Sequence, residues 1–164
     1  VGKHITELGL KKCKENGVKF INISPLKSDA PNFLEAEQIS IRPNTDTALM
    51  LSLAYMMIKD NLYNKDFVKK YTVGFDDFSN YVMGEGNNEE CSVEWGSRIT
   101  GIPVELIRKL GKKIISNKTL VSMSWSLQRA SRGEQPLWMG ITLASMLVHI
   151  GTAAGGFLIR IFFR

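Results

Sequence analysis

The sequence predicts an α/β protein, and three observations predict it. The first 43 residues run helix, strand, loop, strand. A long helical stretch follows, apolar around most of its circumference. Further on, a β-rich run from Thr119 to Trp125 leads through a polar turn into another apolar helix. Strands alternating with helices read as α/β layers with a mainly parallel sheet.

Taken in order, His4 to Asn16 places Ile5, Leu8, Leu10 and Cys13 at helical spacing, and Gly17 suits its end. Val18 to Ser24 is a compact β-rich run stopped by Pro25. Glu37 to Arg42 alternates polar residues with Ile39 and Ile41, reads as a second strand, and ends at Pro43. Asn44-Thr45-Asp46 starts the helix Ala48 to Asn61, whose Leu, Met and Ile content predicts packing on more than one side. Asn64 caps a short helix, Lys65 to Tyr71, and Phe75 to Met83 forms another. Gly84 to Glu90 is a polar, flexible loop. Val93 to Ile99 and Pro103 to Ser116 are helical, with Pro103 suited to a first position. Thr119 to Trp125 is the third strand, Gln135 to Ile150 the last helix, and Gly151 to Gly156 a flexible loop. Trp95, Trp138, Phe75, Met50, Met56 and Met57 are expected in the core.

The chain has 164 residues, 44% hydrophobic and 23% charged, enough for a domain with a core. The net charge of +5 is spread along helices. It does not form the basic stripe of a nucleic-acid surface. Cys13 and Cys91 have no metal spacing, and His4 and His149 are the only histidines, which argues against a disulfide framework and a Cys/His metal site. Leu137 to Ile159 carries no formal charge, but Gly140 and Gly151 to Gly156 interrupt it, so a buried helix and glycine loop are expected rather than a membrane span. Val1 opens the chain inside a helical pattern. The expectation is a piece of something longer, with much of its catalytic centre elsewhere.

The chemistry concentrates in three places. Ser24-Pro25-Leu26-Lys27-Ser28 follows the first strand and offers backbone N–H groups, hydroxyls and a cation; on the residues alone a plain strand-ending turn is the favoured reading. Pro43-Asn44-Thr45-Asp46 opens the long helix, where Asp46 complements the helix dipole at about 0.3–1 kcal/mol or accepts hydrogen bonds from a ligand. Trp125, Gln128 and Arg129 follow the third strand. Trp125 and Arg129 are donors at any ordinary pH, suited to an oxygen-rich or anionic group at the carboxyl edge of a sheet. The bland readings are core packing for Trp125 and a salt bridge from Arg129 to Glu134.

Several segments together resemble the molybdopterin-dependent oxidoreductases of the dimethyl sulfoxide reductase family, nearest the trimethylamine N-oxide and biotin sulfoxide reductase branch. They are Ile21-Asn-Ile-Ser-Pro25, Ile41-Arg-Pro-Asn-Thr-Asp-Thr-Ala-Leu-Met50, Glu94-Trp95 with Ile99-Thr-Gly-Ile-Pro103, Ile107-Arg108, Trp125 through Gln135, Trp138-Met139, and Leu143 to Leu147, continuing to Gly151-Thr152. The resemblance spans roughly Val18 to Gly156, and the order and spacing of the pieces make it specific. It departs at Ser24, where the family often has aspartate, and at Ala153-Ala154, where it typically has Pro-Gly. The tail from Leu158 to Arg164 also fits poorly.

The resemblance implies a three-layer Rossmann-like (doubly wound) domain with a short, mainly parallel sheet, incomplete as a fragment. Residues 1–156 form the cofactor-binding part of a larger catalytic subunit and 157–164 an atypical tail. The implied cofactor is bis(molybdopterin guanine dinucleotide) with molybdenum. The implied reaction is reduction of an N-oxide or S-oxide by oxygen-atom transfer to Mo(IV). Ser24, Pro25, Lys27, Ser28, Pro43, Thr45 and Asp46 would hold the cofactor, Asp46 on the paired donor edge of guanine. Gln128 would lie near the pterin, and Trp125 and Arg129 would position substrate. No residue of the chain is a metal ligand; that ligand, a serine in this branch, lies upstream of Val1, and the fragment alone is inactive. The implied partners are the rest of the catalytic subunit, a small oxide and an electron-donor cytochrome or reductase, with no nucleic acid. The resemblance favours the bacterial periplasm, with cytoplasmic relatives also known. On this reading three parallel strands gather Ser24, Asp46 and Trp125 at one edge. The alternative is a non-enzymatic α/β nucleotide-binding or interaction module.

Overall fold

A computed structural model describes residues 3–86, 89–147, 150 and 155–160. The chain divides into two units, Val1–Pro43 and Asn44–Arg164.

In the first unit, α1 (Lys3–Glu15) ends at Gly17, which takes φ +80°. The N–H of Val18 donates to Cys13 O at 3.0 Å and that of Gly17 to Lys14 O at 2.9 Å, the paired bonds of a glycine-ended cap. β1 (Ile21–Ile23) pairs parallel with β2 (Glu37–Ile39), Ile21 opposite Glu37 and Ile23 opposite Ile39. Both are shorter than the β-rich runs predict. Backbone bonds Glu37 N–H to Phe20 O (2.9 Å) and Ser24 N–H to Ile39 O (3.2 Å) close the ladder at either end. The connection carries two 3-10 turns, Lys27–Asp29 and Asn32–Leu34. Lys14 reaches across to it, donating to Phe33 O at 2.7 Å and pairing with Glu35 at 2.8 Å. Leu34, Ile39 and Ile41 are buried.

In the second unit, α2 (Asp46–Lys59) is buried continuously from Ala48 to Met57. This is the all-round burial its apolar circumference predicts. It packs against α4 (Phe75–Val82), α5 (Val93–Thr100), α6 (Val104–Ser116) and α7 (Glu134–Met146). Two glycines allow close approach: a Cβ on Gly96 would strike Ser52, and one on Gly111 would lie 2.9 Å from the Met56 methyl. α3 (Lys65–Tyr71) is capped as expected, Asn64 Oδ1 accepting from Phe67 N–H at 2.8 Å. Ser92 caps α5, accepting from Trp95 N–H at 3.2 Å. Pro103 sits at the N-cap of α6, one place earlier than predicted.

β3 (Leu120–Ser124) pairs parallel with β4 (Gly156–Arg160), Leu120 opposite Gly156 and Ser124 opposite Arg160. The parallel α/β pairing predicted from the sequence is present in both units. Among the described residues, however, the strands form two pairs rather than the expected single sheet of three, because β3 is partnered within its own unit by a strand the sequence does not foretell. β4 starts in the glycine loop and takes in the first part of the tail. Residues 151–154 of that loop, and 87 and 88 of the Gly84–Glu90 loop, lie outside the described residues. Among the described residues no helix is long and apolar enough to cross a membrane.

One core expectation is corrected. Trp138 is 63% exposed, because α7 buries Met139, Gly140, Leu143 and Met146 on its other side. Cys91, just past the Gly84–Glu90 loop, is buried at 2%; its N–H is bonded to Val82 O at 3.0 Å, which draws it under α4. Met50, Met56 and Met57 are buried as predicted, while Trp95 and Phe75 are half-buried.

Candidate functional site

The turn after β1 belongs to the first unit. Ser24 is buried, and its hydroxyl is committed locally: it donates to the Asp29 carboxylate and accepts from Leu26 N–H at 3.2 Å. Its carbonyl accepts from Gln38 Nε2 at 2.8 Å, and Gln38 is in turn held by Asn22 Nδ2 at 2.6 Å. Ser24 therefore shapes the turn. Pro25, Lys27 and Ser28 lie exposed on it. Asp29, Gln38 and Asn22 are part of this strand edge and were missed from sequence. The one available signal was that Asn22 and Gln38 face each other once the strands are paired in register.

Pro43, exposed, closes the first unit, and Thr45 and Asp46 open the second. Thr45 is the N-cap of α2, and Asp46 is its first residue. The Asp46 carboxyl is half-buried. Burial pushes its pKa above the usual carboxylate range, and a hydrogen bond from its own backbone N–H only partly offsets this. It forms no ion pair among the described residues. A carboxylate partly withdrawn from water with no cation beside it has acceptor capacity to spare.

At the carboxyl end of β3, the chain enters a 3-10 turn, Trp125–Arg129. Ser124 caps it, its Oγ accepting from Ser126 N–H at 3.3 Å. Trp125 (39% exposed), Gln128 and Arg129 all lie on the surface. None of their side chains makes a hydrogen bond or ion pair among the described residues. The salt bridge from Arg129 to Glu134 does not form; Glu134 accepts from Gln135 Nε2 at 3.2 Å instead. Core packing does not describe Trp125 either. The expected residues thus form three local groups: the Ser24–Ser28 turn, the first turn of α2 with Pro43 before it, and the Trp125–Arg129 turn. The first and third sit beyond the carboxyl ends of parallel strands, the edge where open α/β sheets bind ligands.

A cleft of about 370 Å³ lies elsewhere, along the last turns of α2. Its charges answer one another: Lys59 Nζ donates to Tyr55 Oη at 2.7 Å, Tyr55 Oη to Glu90 at 2.8 Å, and Arg108 pairs with Glu94 at 2.7 Å. Such a closed network leaves few groups for a ligand. Among the described residues no cluster of three or more His, Cys, Asp or Glu side chains is arranged to hold a metal ion.

Comparison with known proteins adds a second line. The family model described as molybdopterin oxidoreductase matches residues 5–162. The dimethyl sulfoxide/trimethylamine N-oxide reductase of Rhodobacter capsulatus is 41% identical over 157 residues, covering 96% of this chain and 19% of its own length. The biotin sulfoxide reductase of Cereibacter sphaeroides is 42% identical, over 95% of this chain and 21% of its own. The trimethylamine-N-oxide reductase of Haemophilus influenzae is 40% identical, over 90% and 18%. The chain thus spans about a fifth of the length of these relatives. Among solved structures, acetylene hydratase from Pelobacter acetylenicus matches 91% of this chain and 20% of its own, with a TM-score of 0.77 at 21% identity, a likeness of fold.

Proposed function

The chain belongs to the molybdopterin oxidoreductase family, and from that premise we propose that it is the cofactor-binding part of a molybdenum oxotransferase that reduces an N-oxide or S-oxide. The family carries the cofactor class, molybdenum with molybdopterin. The finer assignment, bis(molybdopterin guanine dinucleotide), rests on Asp46. A half-buried carboxylate with no cation beside it fits the N1–H and amino edge of guanine, which presents two parallel donors. The exposed Lys27 and Ser28, on the turn that Ser24 and Pro25 form, suit the nucleotide's phosphates, and Pro43 and Thr45 set the entry to α2.

The observation that carries the reading is the Trp125–Arg129 turn: three donor side chains with no partner among the described residues, set at the end of a parallel strand. When bound, the cofactor would supply the redox chemistry, taking the oxide's oxygen atom and giving up two electrons as the oxide is reduced. The chain's own part is to hold the oxide. The Trp125 indole N–H would donate a hydrogen bond, and the Arg129 guanidinium a charge-assisted one, to an oxygen whose negative charge must be stabilised as its bond to nitrogen or sulfur stretches. Gln128 would lie near the pterin. The rest of the catalytic subunit completes the pocket, and a cytochrome or reductase returns electrons.

The test uses the full-length, cofactor-loaded protein, with trimethylamine N-oxide and dimethyl sulfoxide reduced by a viologen dye. Arg129→Ala and Trp125→Phe are each expected to lower kcat/KM by about 100- to 1000-fold at unchanged molybdenum content, the scale of losing one fixed oxyanion donor. Wild-type kinetics in both variants would remove the turn from the active site.

A further inference from the structure

We propose that Gly133 is the positioning residue of the Trp125–Arg129 turn: the backbone of Gln128 rests directly on it, so that no side chain at this position leaves Gln128 and Arg129 where they stand. The inference rests on reading that turn as the oxide-facing wall.

Gly133 is buried at the start of α7. A Cβ added to it would fall against the carbonyl oxygen and carbon of Gln128 and within 2.6 Å of the Gln128 Cα. All three are backbone atoms. None can rotate aside as a side-chain end does, so the turn itself must shift.

The requirement for glycine here is steric and not conformational. Gly133 has φ −65° and ψ −13°, right-handed backbone open to any residue. The left-handed position is its neighbour, Arg132, at φ +56°. If backbone conformation alone had set the residues of this turn, the glycine would stand at 132. It stands one place later, where the close approach is.

The turn depends on that seat. Since the side chains of Trp125, Gln128 and Arg129 make no hydrogen bond or ion pair among the described residues, no polar partner fixes them and their placement follows the backbone that carries them. Ser124 holds the near end. At the far end the N–H of Gly133 donates to Ala130 O at 3.1 Å and that of Gln135 to Arg132 O at 3.0 Å, locking the segment onto α7 with Gln128 against Gly133.

The test is Gly133→Ala in the full-length holoenzyme, with trimethylamine N-oxide as substrate. A displacement of about 1 Å costs up to roughly 100-fold, so kcat/KM is expected to fall about 10- to 100-fold at wild-type cofactor content and circular dichroism. In a Trp125→Phe, Arg129→Ala background the same change is expected to add less than about 3-fold, because the groups it misplaces are already gone. Wild-type kinetics, or a full multiplicative loss in that background, overturns the proposal. If Trp125→Phe and Arg129→Ala are themselves silent, the reading of the turn fails and the seat falls with it. If they impair catalysis and Gly133→Ala does not, the seat alone fails. Should Gly133→Ala not accumulate folded, hydrogen exchange on the unaltered holoenzyme decides: the amides of Gln128 and Arg129 are expected to be protected well beyond the free-peptide rate, and exchange at the free-peptide rate overturns the proposal.

Discussion

Asp46 is a carboxylate kept where its charge is unwelcome. Burial raises its pKa more than its own backbone N–H lowers it. An acid whose folded pKa exceeds its unfolded one gives its full stabilising contribution while protonated, below the ordinary carboxylate pKa of about 4, and loses that contribution as pH rises through the raised value. Asp46→Asn removes the ionisation. Its melting temperature is expected to equal or exceed that of the unaltered protein at neutral pH, the difference fading toward about pH 3, where Asp46 is itself neutral. The same variant is expected to bind a guanine dinucleotide cofactor about 10- to 100-fold more weakly, the scale of a charge-assisted hydrogen bond, read as cofactor retained through gel filtration. Greater stability with undiminished retention would take Asp46 out of the cofactor site. Loss of both would make it a structural helix-start residue.

At the scale of elements, α2 is the post around which the second unit is built, and small residues decide how closely its neighbours approach. Gly96 brings α5 onto Ser52, where a Cβ would lie 2.8 Å from the serine Cβ and closer still to its hydroxyl. That hydroxyl is itself 3.1 Å from both Ala48 O and Ser92 O, so it has no free direction in which to retreat. Gly96→Ala is expected to destabilise by about 1–3 kcal/mol in urea unfolding, the usual cost of overpacking. Ser52→Ala should recover only part of the loss, because the Cβ contact remains; full recovery would locate the clash in the hydroxyl alone. What the sequence disclosed about these elements follows from how local each signal is. The Asn64 cap, the Gly17 stop and the all-apolar α2 are written in adjacent residues, and each is found as read. β4 was not legible, because an uncharged run from Leu137 to Ile159 looks alike whether it continues a helix or breaks and re-enters as a strand. Trp138 was misplaced for a related reason: on a helix apolar all round, the buried side is chosen by where α2 and β3 happen to lie. The candidate site was legible as residue types at strand ends. The commitment of the Ser24 hydroxyl to Asp29, and the seat under Gln128, depend on pairings five residues apart that no periodicity reports.

At the scale of the whole molecule, each sheet has two strands among the described residues, fewer than stand alone in water, and helices carry the stability. In the second unit α7 does this, packing on β3, β4 and α2, with Gly140 so close to Met123 and Phe157 that a Cβ there would lie 2.5 Å from both side chains. A chain covering 19% of a relative's length holds a matching share of the chemistry. On the proposed reading it offers acceptors for a nucleotide and donors for an oxide, while among its described residues no cluster of three or more His, Cys, Asp or Glu is arranged to hold a metal. The proposed reading has molybdenum reach this chain inside the pterin cofactor. The 164-residue chain, purified alone and incubated with molybdate, is expected to retain no stoichiometric metal after desalting, and to reduce neither trimethylamine N-oxide nor dimethyl sulfoxide with a viologen donor. The full-length holoenzyme is expected to retain molybdenum and to reduce at least one of the two oxides. One molybdenum per chain from molybdate alone, or turnover by the short chain, would place a metal ligand within these residues and overturn the division between the parts that bind and the part that reacts.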